Sequence, residues 1–307
     1  MSEIQVACRS GHTSSERGPD EFYEELTRRN RGLIDDDEQR RLRTAAVMVA
    51  GCGSIGGSAV EPLVRLGAET LRLAEPDTFE LHNLNRQNAV LADVGVNKAV
   101  ALAARARAIN PHAAIQVETR GVVPETVVPL LDGAALVIDG IDVTTSRALS
   151  CKHLLHVRAH ERGVPVISGY DIAGVQMVLV YDYRDPRVAV LGGRLGADRP
   201  TPLEPLPFLA RVVPLHVLPP EIIPTLERRA RGEDVDFPQL GYTAGAFGVI
   251  AARVALDLLE GRRVRRRIVL DVHRLSRPGT SRIAARGRAL IAVAGIARLA
   301  RTFRDQA

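Results

Sequence analysis

Short apolar runs alternate with longer stretches of helical spacing from residue 45 onwards. The apolar runs, each typical of a buried strand, lie at 45–50, 70–76, 115–120, 135–140 and 164–170. The stretches of helical spacing lie at 55–66, from Gly95 to 108–111, and at 144–161. Because strand and helix alternate, the pattern predicts right-handed crossovers and helices on both faces of one sheet. We therefore expect an α/β fold of the Rossmann-like, doubly wound class with a mostly parallel sheet.

The pattern changes after Gly174. Residues 175–183 follow the run at 164–170 across a short glycine-containing link, which predicts that an antiparallel strand extends the sheet. Residues 184–240 contain most of the prolines and little periodicity, so we expect a long crossover loop there. The elements expected beyond it are a helix at Ala244–Leu259, a strand at 267–273 and an apolar helix near Ala289–Ala300.

The N-terminal residues are polar. Residues 1–20 are expected to form a flexible tail, and the charge-rich residues 21–44 a helical arm with a polar turn at Asp35–Asp37. This gives one domain, in which 21–183 hold the arm and the core, 184–240 the crossover loop, and 241–307 complete the core.

Composition limits the partners of the chain. Its 46% hydrophobic content is enough for a core, and neither a signal peptide nor a stretch approaching the ~18 apolar residues of a membrane span is evident. We therefore expect a cytoplasmic protein that binds no membrane. The net charge is +5, but no Trp and 4% aromatic residues leave little for nucleic-acid bases to stack on. We expect no nucleic-acid partner, and the basic run at 261–267 should face solvent.

A glycine-rich loop follows the first predicted strand. In VMVAGCGSIGG, Gly51, Gly53 and Gly56 form a G-x-G-x-x-G pattern between a buried strand and a helix. Such glycines permit a tight turn and the close approach of a phosphate, which the N–H groups of the helix N-terminus can bind. Glu75 lies 24 residues after Gly51 at the end of the next strand. An acid there can bind the ribose of either a nicotinamide cofactor or ATP.

The residues after Glu75 separate these two nucleotides. Splitting a triphosphate requires hydrogen-bond donors and positive charge around the phosphates, which hydride transfer does not. Asn83, Arg86 and Gln87 supply such groups. Lys98 begins a predicted helix, where its ammonium group can reach a phosphate, although a surface lysine is the alternative. The segment therefore favours ATP.

Two acids follow the predicted strand at 135–140. Asp139 and Asp142 lie at its C-terminal end, where ligands of parallel sheets bind and a carboxylate can hold magnesium. Asp139 could equally form a turn at the end of the strand. Asp142, followed by Thr144, could also be the N-cap of the next helix.

Five segments taken in order resemble the ThiF/MoeB/HesA family of ubiquitin-activating-enzyme-like adenylyltransferases. They are RRNRGLI, GCGSIGG, EPDTFELHNLNRQ, GVNK and DGIDVTTSR. The resemblance extends from about Arg28 to Tyr183, and residues 241–261 are similar to the C-terminal helix of the family. It implies ATP and Mg²⁺ as cofactors. The implied reaction is attack of an acceptor carboxylate on the α-phosphorus, which releases pyrophosphate and leaves an acyl-adenylate.

The resemblance also implies roles for single residues. Glu75 would bind the ribose, Asp142 would bind magnesium, and Arg31 would reach the phosphates, often from the partner subunit, so we expect a homodimer, with a heterodimer as the alternative. The expected catalytic residues are Arg31, Arg86, Lys98 and Asp142. The expected nucleotide contacts are Gly51, Gly53, Ser54, Ile55, Gly56, Glu75, Asp77, Asn83, Arg86, Gln87, Lys98 and Asp142.

The sequence departs from the family pattern in several places. Glu75 replaces the usual aspartate, and Val143 replaces a common asparagine. The CxxC pairs of many members are missing, so we expect no zinc. The thioester-forming cysteine of some members would lie within 184–240, which contains none. We read Cys52 and Cys151 as small packing residues, and expect the reaction to stop at the adenylate.

Three functions follow from these residues. The leading one is adenylation of the C-terminus of a ubiquitin-like sulfur carrier that ends in Gly-Gly, or of a peptide or small acid. The second is a non-catalytic nucleotide-binding partner of a heterodimeric activating enzyme. The third, an NAD-dependent oxidoreductase, gives no role to the residues after Glu75.

Overall fold

The computed structural model describes residues 17–193 and 204–279, and the isolated residues 283, 286, 287, 290 and 294. The strands are β1 (Ala46–Ala50), β2 (Thr70–Ala74), β3 (Ala114–Glu118), β4 (Leu136–Asp139), β5 (Val166–Ile172), β6 (Val175–Tyr181) and β7 (Arg267–Asp271). The α-helices are α1 (Pro19–Thr27), α2 (Asp36–Thr44), α3 (Gly56–Leu66), α4 (Lys98–Ile109), α5 (Pro124–Leu131), α6 (Ser146–Glu161), α7 (Pro205–Val212), α8 (Ile223–Ala230), α9 (Gly241–Leu259) and α10 (Val272–Ser276). Short 3-10 segments lie at Arg28–Asn30, Leu81–Asn85, Leu91–Asp93, Val190–Gly193, Leu215–Val217 and Pro220–Ile222.

The described strands form one seven-stranded sheet in the order β3-β2-β1-β4-β5-β6-β7. Neighbours from β3 to β5 are parallel, whereas β6 and β7 are added antiparallel. This confirms the predicted doubly wound, mostly parallel sheet with an antiparallel extension. The chain order reverses between β1 and β4, and open α/β sheets bind ligands at the carboxyl ends of the strands at such a point.

Helices cover both faces of the sheet, as the alternating pattern predicts. On one face α3, α4 and α9 bury residues such as Leu63 and Phe247. On the other face α5, α6 and α7 bury residues such as Leu130 and Phe208. The core therefore consists of two apolar layers with the sheet between them.

The N-terminal arm consists of two helices, α1 and α2. The Tyr23 hydroxyl on α1 donates to the carbonyl of Gly67 (3.0 Å), which ties the arm to the C-terminal end of α3. The turn predicted at Asp35–Asp37 is wrong, because α2 already begins at Asp36. Asp35 is its N-cap and forms a capping box with Glu38, each side chain accepting the other's backbone N–H (2.9 Å).

The expected crossover loop at 184–240 contains two helices, α7 and α8. Helix α5, which lies in the core, was not predicted either. Each has eight residues, too few to show a clear period, and helices this short depend on tertiary packing. Phe208 and Val212 of α7 are buried in the second layer. The predicted tail up to residue 16 and most of the predicted helix near Ala289–Ala300 lie outside the described residues.

Helix α9 corrects the expectation that no stretch is apolar enough to span a membrane. Gly241–Leu259 has the length and composition of such a span, with 56% of its apolar window buried inside the protein. The helix packs against α3 so closely that a Cβ atom on Gly248 would lie 2.1 Å from the Ser58 carbonyl oxygen. Its first turn lies next to the 3-10 segment Leu81–Asn85, since a Cβ on Gly241 would lie 3.0 Å from the Asn85 carbonyl oxygen.

Candidate functional site

The glycine loop lies at the reversal point of the sheet, directly after β1. Gly51 has a φ of +80°, and a Cβ atom there would lie 2.6 Å from the carbonyl carbon of Gly140, which follows β4. Only glycine permits this backbone-to-backbone contact. Among the described residues, none accepts a hydrogen bond from the backbone N–H groups of residues 53–56. The start of α3 therefore presents free donors suited to an anion.

Glu75 is buried at the end of β2 and holds this loop in place. Its Oε2 accepts the Cys52 backbone N–H (2.6 Å) and its Oε1 accepts that of Asp77 (3.0 Å). Burial raises the pKa of Glu75, while these two N–H groups and the Lys98 charge oppose the shift. The carboxylate predicted to bind ribose thus also fixes the glycine loop.

Lys98 is the first residue of α4, and its ammonium nitrogen lies 3.8 Å from the Asp77 carboxylate. Asn97, which the sequence analysis missed, positions it. The Asn97 side-chain oxygen caps α4 by accepting the N–H groups of Ala99 (3.0 Å) and Val100 (3.2 Å). Its amide nitrogen donates to the carbonyl of Glu75 (2.9 Å). An asparagine just before a predicted helix was the available signal.

The polar side chains after Glu75 differ in whether their hydrogen bonds are already made within the chain. Asn83 is buried, and its Oδ1 accepts the Glu80 backbone N–H (3.0 Å), so this oxygen is already in use within the 3-10 turn. Arg86 Nε and Gln87 Oε1 are buried and make no hydrogen bond to a described residue. Gln87 lies over the glycine loop, since a Cβ atom on Gly53 would be 3.8 Å from its Nε2. Buried polar atoms without partners are rare and point to a ligand.

Asp142 is exposed in the turn between β4 and α6. Its Oδ1 accepts the backbone N–H groups of Val143 (2.8 Å) and Thr144 (3.1 Å). The N-cap of α6 is Thr145 and not Asp142, because the Thr145 hydroxyl oxygen accepts the Ala148 N–H (3.2 Å). Asp142 therefore remains accessible at the carboxyl edge of the sheet.

Asp139 cannot hold a metal at this edge, because it is fully buried in an ion pair. Its Oδ2 accepts hydrogen bonds from Lys152 (2.5 Å), His156 Nε2 (2.9 Å) and the Ser168 hydroxyl (2.6 Å). The Lys152 charge and the His156 hydrogen bond hold the pKa of Asp139 well below its usual range, against the effect of burial. Asp139 is therefore unsuited to magnesium, but it does form the turn at the end of the strand, because its Oδ1 accepts the Ile141 backbone N–H (3.2 Å).

The same network fixes the protonation of His156. Tyr183 accepts the Leu191 backbone N–H (3.0 Å), so its own hydroxyl hydrogen is available to His156 Nδ1 (2.7 Å). His156 Nε2 then carries the hydrogen that it donates to Asp139. Burial lowers the pKa of His156, in agreement with a neutral ring. A continuous hydrogen-bonded chain thus runs from the start of the crossover segment to the end of β4.

Asp171, near the end of β5, is a further acid at this edge. The sequence signal that selected Glu75 and Asp142, an acid at the carboxyl end of a parallel strand, was present but unused. Both of its carboxylate oxygens are buried without a hydrogen bond to a described residue. Burial raises its pKa to about 6. The nearby Thr243 side chain, the positive charge of Arg86 and the Leu240 backbone N–H act to lower it.

Arg31 lies away from the glycine loop of its own chain. Its neighbour Asn30 donates to the carbonyl of Leu66 (3.0 Å), the last residue of α3. The loop lies at the other end of this 11-residue helix, about 16 Å away. The structure therefore brings the other predicted residues to one edge of the sheet but leaves Arg31 outside it.

Known proteins share both the sequence pattern and the fold. A ThiF family model matches residues 27–277. The molybdopterin-synthase adenylyltransferase of Salmonella typhimurium is 31% identical over 167 residues, which cover 53% of this chain and 65% of that protein. An uncharacterised protein of Mycobacterium tuberculosis is 39% identical over 169 residues, 55% of this chain and 23% of that one. This chain thus spans less than two thirds of the length of either relative.

A solved structure supports the fold. The E. coli tRNA N6-threonylcarbamoyladenosine dehydratase, determined in complex with ATP, matches with a TM-score of 0.57 and 20% identity over 80% of this chain and 98% of that chain. Since the family model covers most of the chain, from the N-terminal arm to α10, this protein belongs to the ThiF family.

Proposed function

We propose that this protein uses ATP to adenylate an acceptor carboxylate, with release of pyrophosphate. The observation that supports this most directly is the unmet hydrogen bonding around the glycine loop. The N–H groups of residues 53–56, Arg86 Nε and Gln87 Oε1 lie at one edge of the sheet and make no hydrogen bond within the part of the chain that the structure describes. A polyphosphate supplies oxygens for the first two, and the names of the Salmonella relative and of the ATP-bound structure agree with this substrate.

The nucleotide contacts follow from this placement. The N–H groups of Gly53, Ser54, Ile55 and Gly56 would bind phosphate oxygens at the start of α3, and Gly51 permits the turn. Glu75 would accept the ribose hydroxyls with its remaining lone pairs, since each of its oxygens already accepts one backbone N–H. Asn83, Gln87 and Asp77 would complete the contacts around the sugar and phosphates.

Charge neutralisation is the main catalytic contribution of the protein. The acceptor carboxylate is already a nucleophile, so the protein has to position it in line with the α-phosphorus and stabilise the developing charge. Arg86 and Lys98 are the cations at this edge that we assign to the phosphates. Burial lowers the pKa of Arg86, and the nearby charges of Asp171 and Asp236 oppose this shift.

Asp142 fits magnesium better than Asp139 does. Magnesium in phosphate sites is typically held by one or two carboxylates together with phosphate oxygens and water, and Asp142 offers an accessible carboxylate at the right edge. When bound, the ion would neutralise phosphate charge. Asp142 would hold it, and the hydrogen bonds from Val143 and Thr144 orient the carboxylate.

We assign the acceptor to the C-terminus of a ubiquitin-like sulfur carrier, or to a peptide or small acid. The segment 184–240, between the core residues 21–183 and 241–307, would shape acceptor choice. The reaction would stop at the adenylate. Cys52 is fully buried, burial raises its pKa well above the usual value, and a thiol in this state is a poor nucleophile.

ATP–pyrophosphate exchange tests this function. At fixed magnesium, the purified protein should catalyse exchange only when a carrier ending in Gly-Gly, or another suitable acid, is added. ATP binding without exchange for any acid would identify a non-catalytic nucleotide-binding partner. Exchange that required tRNA would show that our acceptor class is wrong, and NAD binding without ATP binding would overturn the proposal.

Arg31 provides a separate test of the proposed homodimer. Because it is remote from its own glycine loop, we propose that it acts on the nucleotide of the partner subunit. Arg31→Ala and Arg86→Ala should each retain only a small fraction of wild-type exchange when expressed alone. Coexpressed in equal amounts, they should regain about a quarter of wild-type exchange, since half of the dimers then contain one intact site. No recovery in a verified mixed dimer would exclude this role.

A further inference from the structure

Asp171 lies on the face of the sheet that carries the glycine loop. Successive side chains of a strand alternate between faces, so Gly169 and Asp171 of β5 share one face. A Cβ atom on Gly169 would lie 2.4 Å from Ile55 of the glycine loop and 2.5 Å from Phe247 of α9. Asp171 is two residues, about 7 Å, further towards the carboxyl edge. Its side chain is therefore directed to the region between the glycine loop and the start of α9.

Asp171 has polar neighbours, but neither oxygen of its carboxylate makes a hydrogen bond of good geometry with a described residue. The Thr243 side chain and the Leu240 backbone lie close enough to lower its pKa, although the Thr243 hydroxyl donates its hydrogen to the Leu240 carbonyl (2.8 Å). Arg86 is close enough to influence its charge, yet the two side chains make no ion pair in the described part of the chain, and Arg86 Nε is itself unpaired. A carboxylate whose oxygens make no hydrogen bond to a described residue thus lies near a half-buried guanidinium group whose Nε is also unpaired. Such an arrangement is costly unless a ligand completes it.

The two residues require complementary groups from that ligand. Arg86 needs an acceptor, which a phosphate or acyl oxygen supplies, whereas Asp171 accepts hydrogen bonds only and needs a donor. Sulfur-carrier, peptide and simple acid acceptors all present a carboxylate. Of these, the acid that terminates a polypeptide also carries an N–H group one carbon atom from the carboxylate.

The start of α9 lies beside Asp171. Leu240, whose backbone lies beside the carboxylate, is the N-cap of α9 and makes no capping hydrogen bond with its side chain. Leu240 also ends the crossover segment 184–240. Asp171 therefore lies where the crossover segment, to which we assign acceptor choice, meets the core.

We propose that Asp171 selects polypeptide C-termini by accepting the N–H of the last peptide bond of the acceptor. This inference rests on the proposed adenylation, and it names the acceptor class and the residue that recognises it. Asp171 is a specificity residue here, because it contacts the acceptor next to the reacting carboxylate. Simple acids without that N–H are poor substrates.

Two matched acceptors test this role. One is a synthetic ten-residue peptide ending in Gly-Gly, and the other is its depsipeptide twin, in which an ester oxygen replaces the N–H of the last peptide bond. Wild-type protein should favour the amide over the ester by about 10- to 100-fold in kcat/KM for pyrophosphate exchange, since one hydrogen bond to a charged group is lost. Asp171→Ala should accept both about equally, and Asp171→Asn, which keeps an acceptor oxygen, should retain part of the preference.

Asp236→Asn is the control. This variant also removes a negative charge that acts on Arg86, but Asp236 is exposed. The preference of the variant for amide over ester should therefore stay within about twofold of wild type. Thermal unfolding confirms that each variant is folded. Equal use of amide and ester by wild-type protein, or an unchanged preference in Asp171→Ala, would overturn the role of Asp171 and leave the adenylation intact. Exchange with simple acids but with neither peptide would also overturn it, whereas no exchange with any acid would overturn the proposed function itself.

Discussion

Replacing Asp139 with asparagine is expected to destabilise the protein by about 3–5 kcal/mol, because the substitution leaves the buried ammonium group of Lys152 without its counter-charge. Both side chains are fully buried, and the Lys152 nitrogen lies 2.5 Å from the Asp139 carboxylate. The only other hydrogen bond of Lys152 in the described chain is a long one to the Ile141 carbonyl (3.4 Å). Urea unfolding at pH 7 measures the loss, and an unchanged slope confirms that the comparison is valid.

The double variant Asp139→Asn with Lys152→Met serves as the control for this prediction. It removes both charges, so it should be more stable than Asp139→Asn alone, as expected when the harm comes from an unpaired buried charge. A single variant within about 1 kcal/mol of wild type would show that the pair contributes little. A double variant less stable than the single one would show instead that packing of the lysine stem is decisive.

Replacing Arg86 with alanine is expected to lower ATP–pyrophosphate exchange by about 10²- to 10³-fold at saturating acceptor. In the proposed reaction the guanidinium group would face charge that grows on the phosphates in the transition state, and loss of one such donor typically has this effect. Arg86 is half-buried, its Nε is unpaired, and its remaining hydrogen bonds reach only the His82 carbonyl (3.0 Å) and Asn85 (2.8 Å) within the described residues. Because few N–H groups of Arg86 bind described residues, its guanidinium group can donate hydrogen bonds to a ligand.

Arg65→Ala is the matched control for Arg86. Arg65 lies on α3, is 62% exposed and, among the described residues, pairs only with Glu61 one helical turn away. Exposed pairs of this kind contribute little, so exchange should stay within about twofold of wild type. An Arg86→Ala variant with nearly full kcat and a raised KM for ATP would show that Arg86 binds the ground state and transition state equally.

The local signals of the sequence located most of the residues that we assign to the nucleotide. Glycine spacing, an acid after the second strand and a lysine at a helix start are patterns of neighbouring residues, and they placed Gly51, Glu75 and Lys98 at one edge of the sheet. The carboxyl ends of parallel strands meet at that edge, so knowing the fold class was enough. Asn97 followed the same local rule for helix caps and could have been identified.

Partners that lie far apart along the chain could not be predicted in this way. Asp139 and Asp142 look alike in the sequence, but Asp139 is enclosed by Lys152, His156 and Ser168 from α6 and β5. Asp142, three residues later, remains exposed. Burial and a counter-charge from another element decide which of two neighbouring acids is accessible.

The sequence by itself determined the alternation of strand and helix, the glycine loop and the ordered motifs of the ThiF family. These depend on periodicity and spacing within short windows, which local physical chemistry controls. Only the tertiary structure decided that Asp139 pairs with Lys152, that Arg31 lies beyond the reach of its own glycine loop, and that Asp171 lies near Arg86. Such facts depend on which distant elements pack together, because solvent exclusion and charge proximity arise only when the chain is folded.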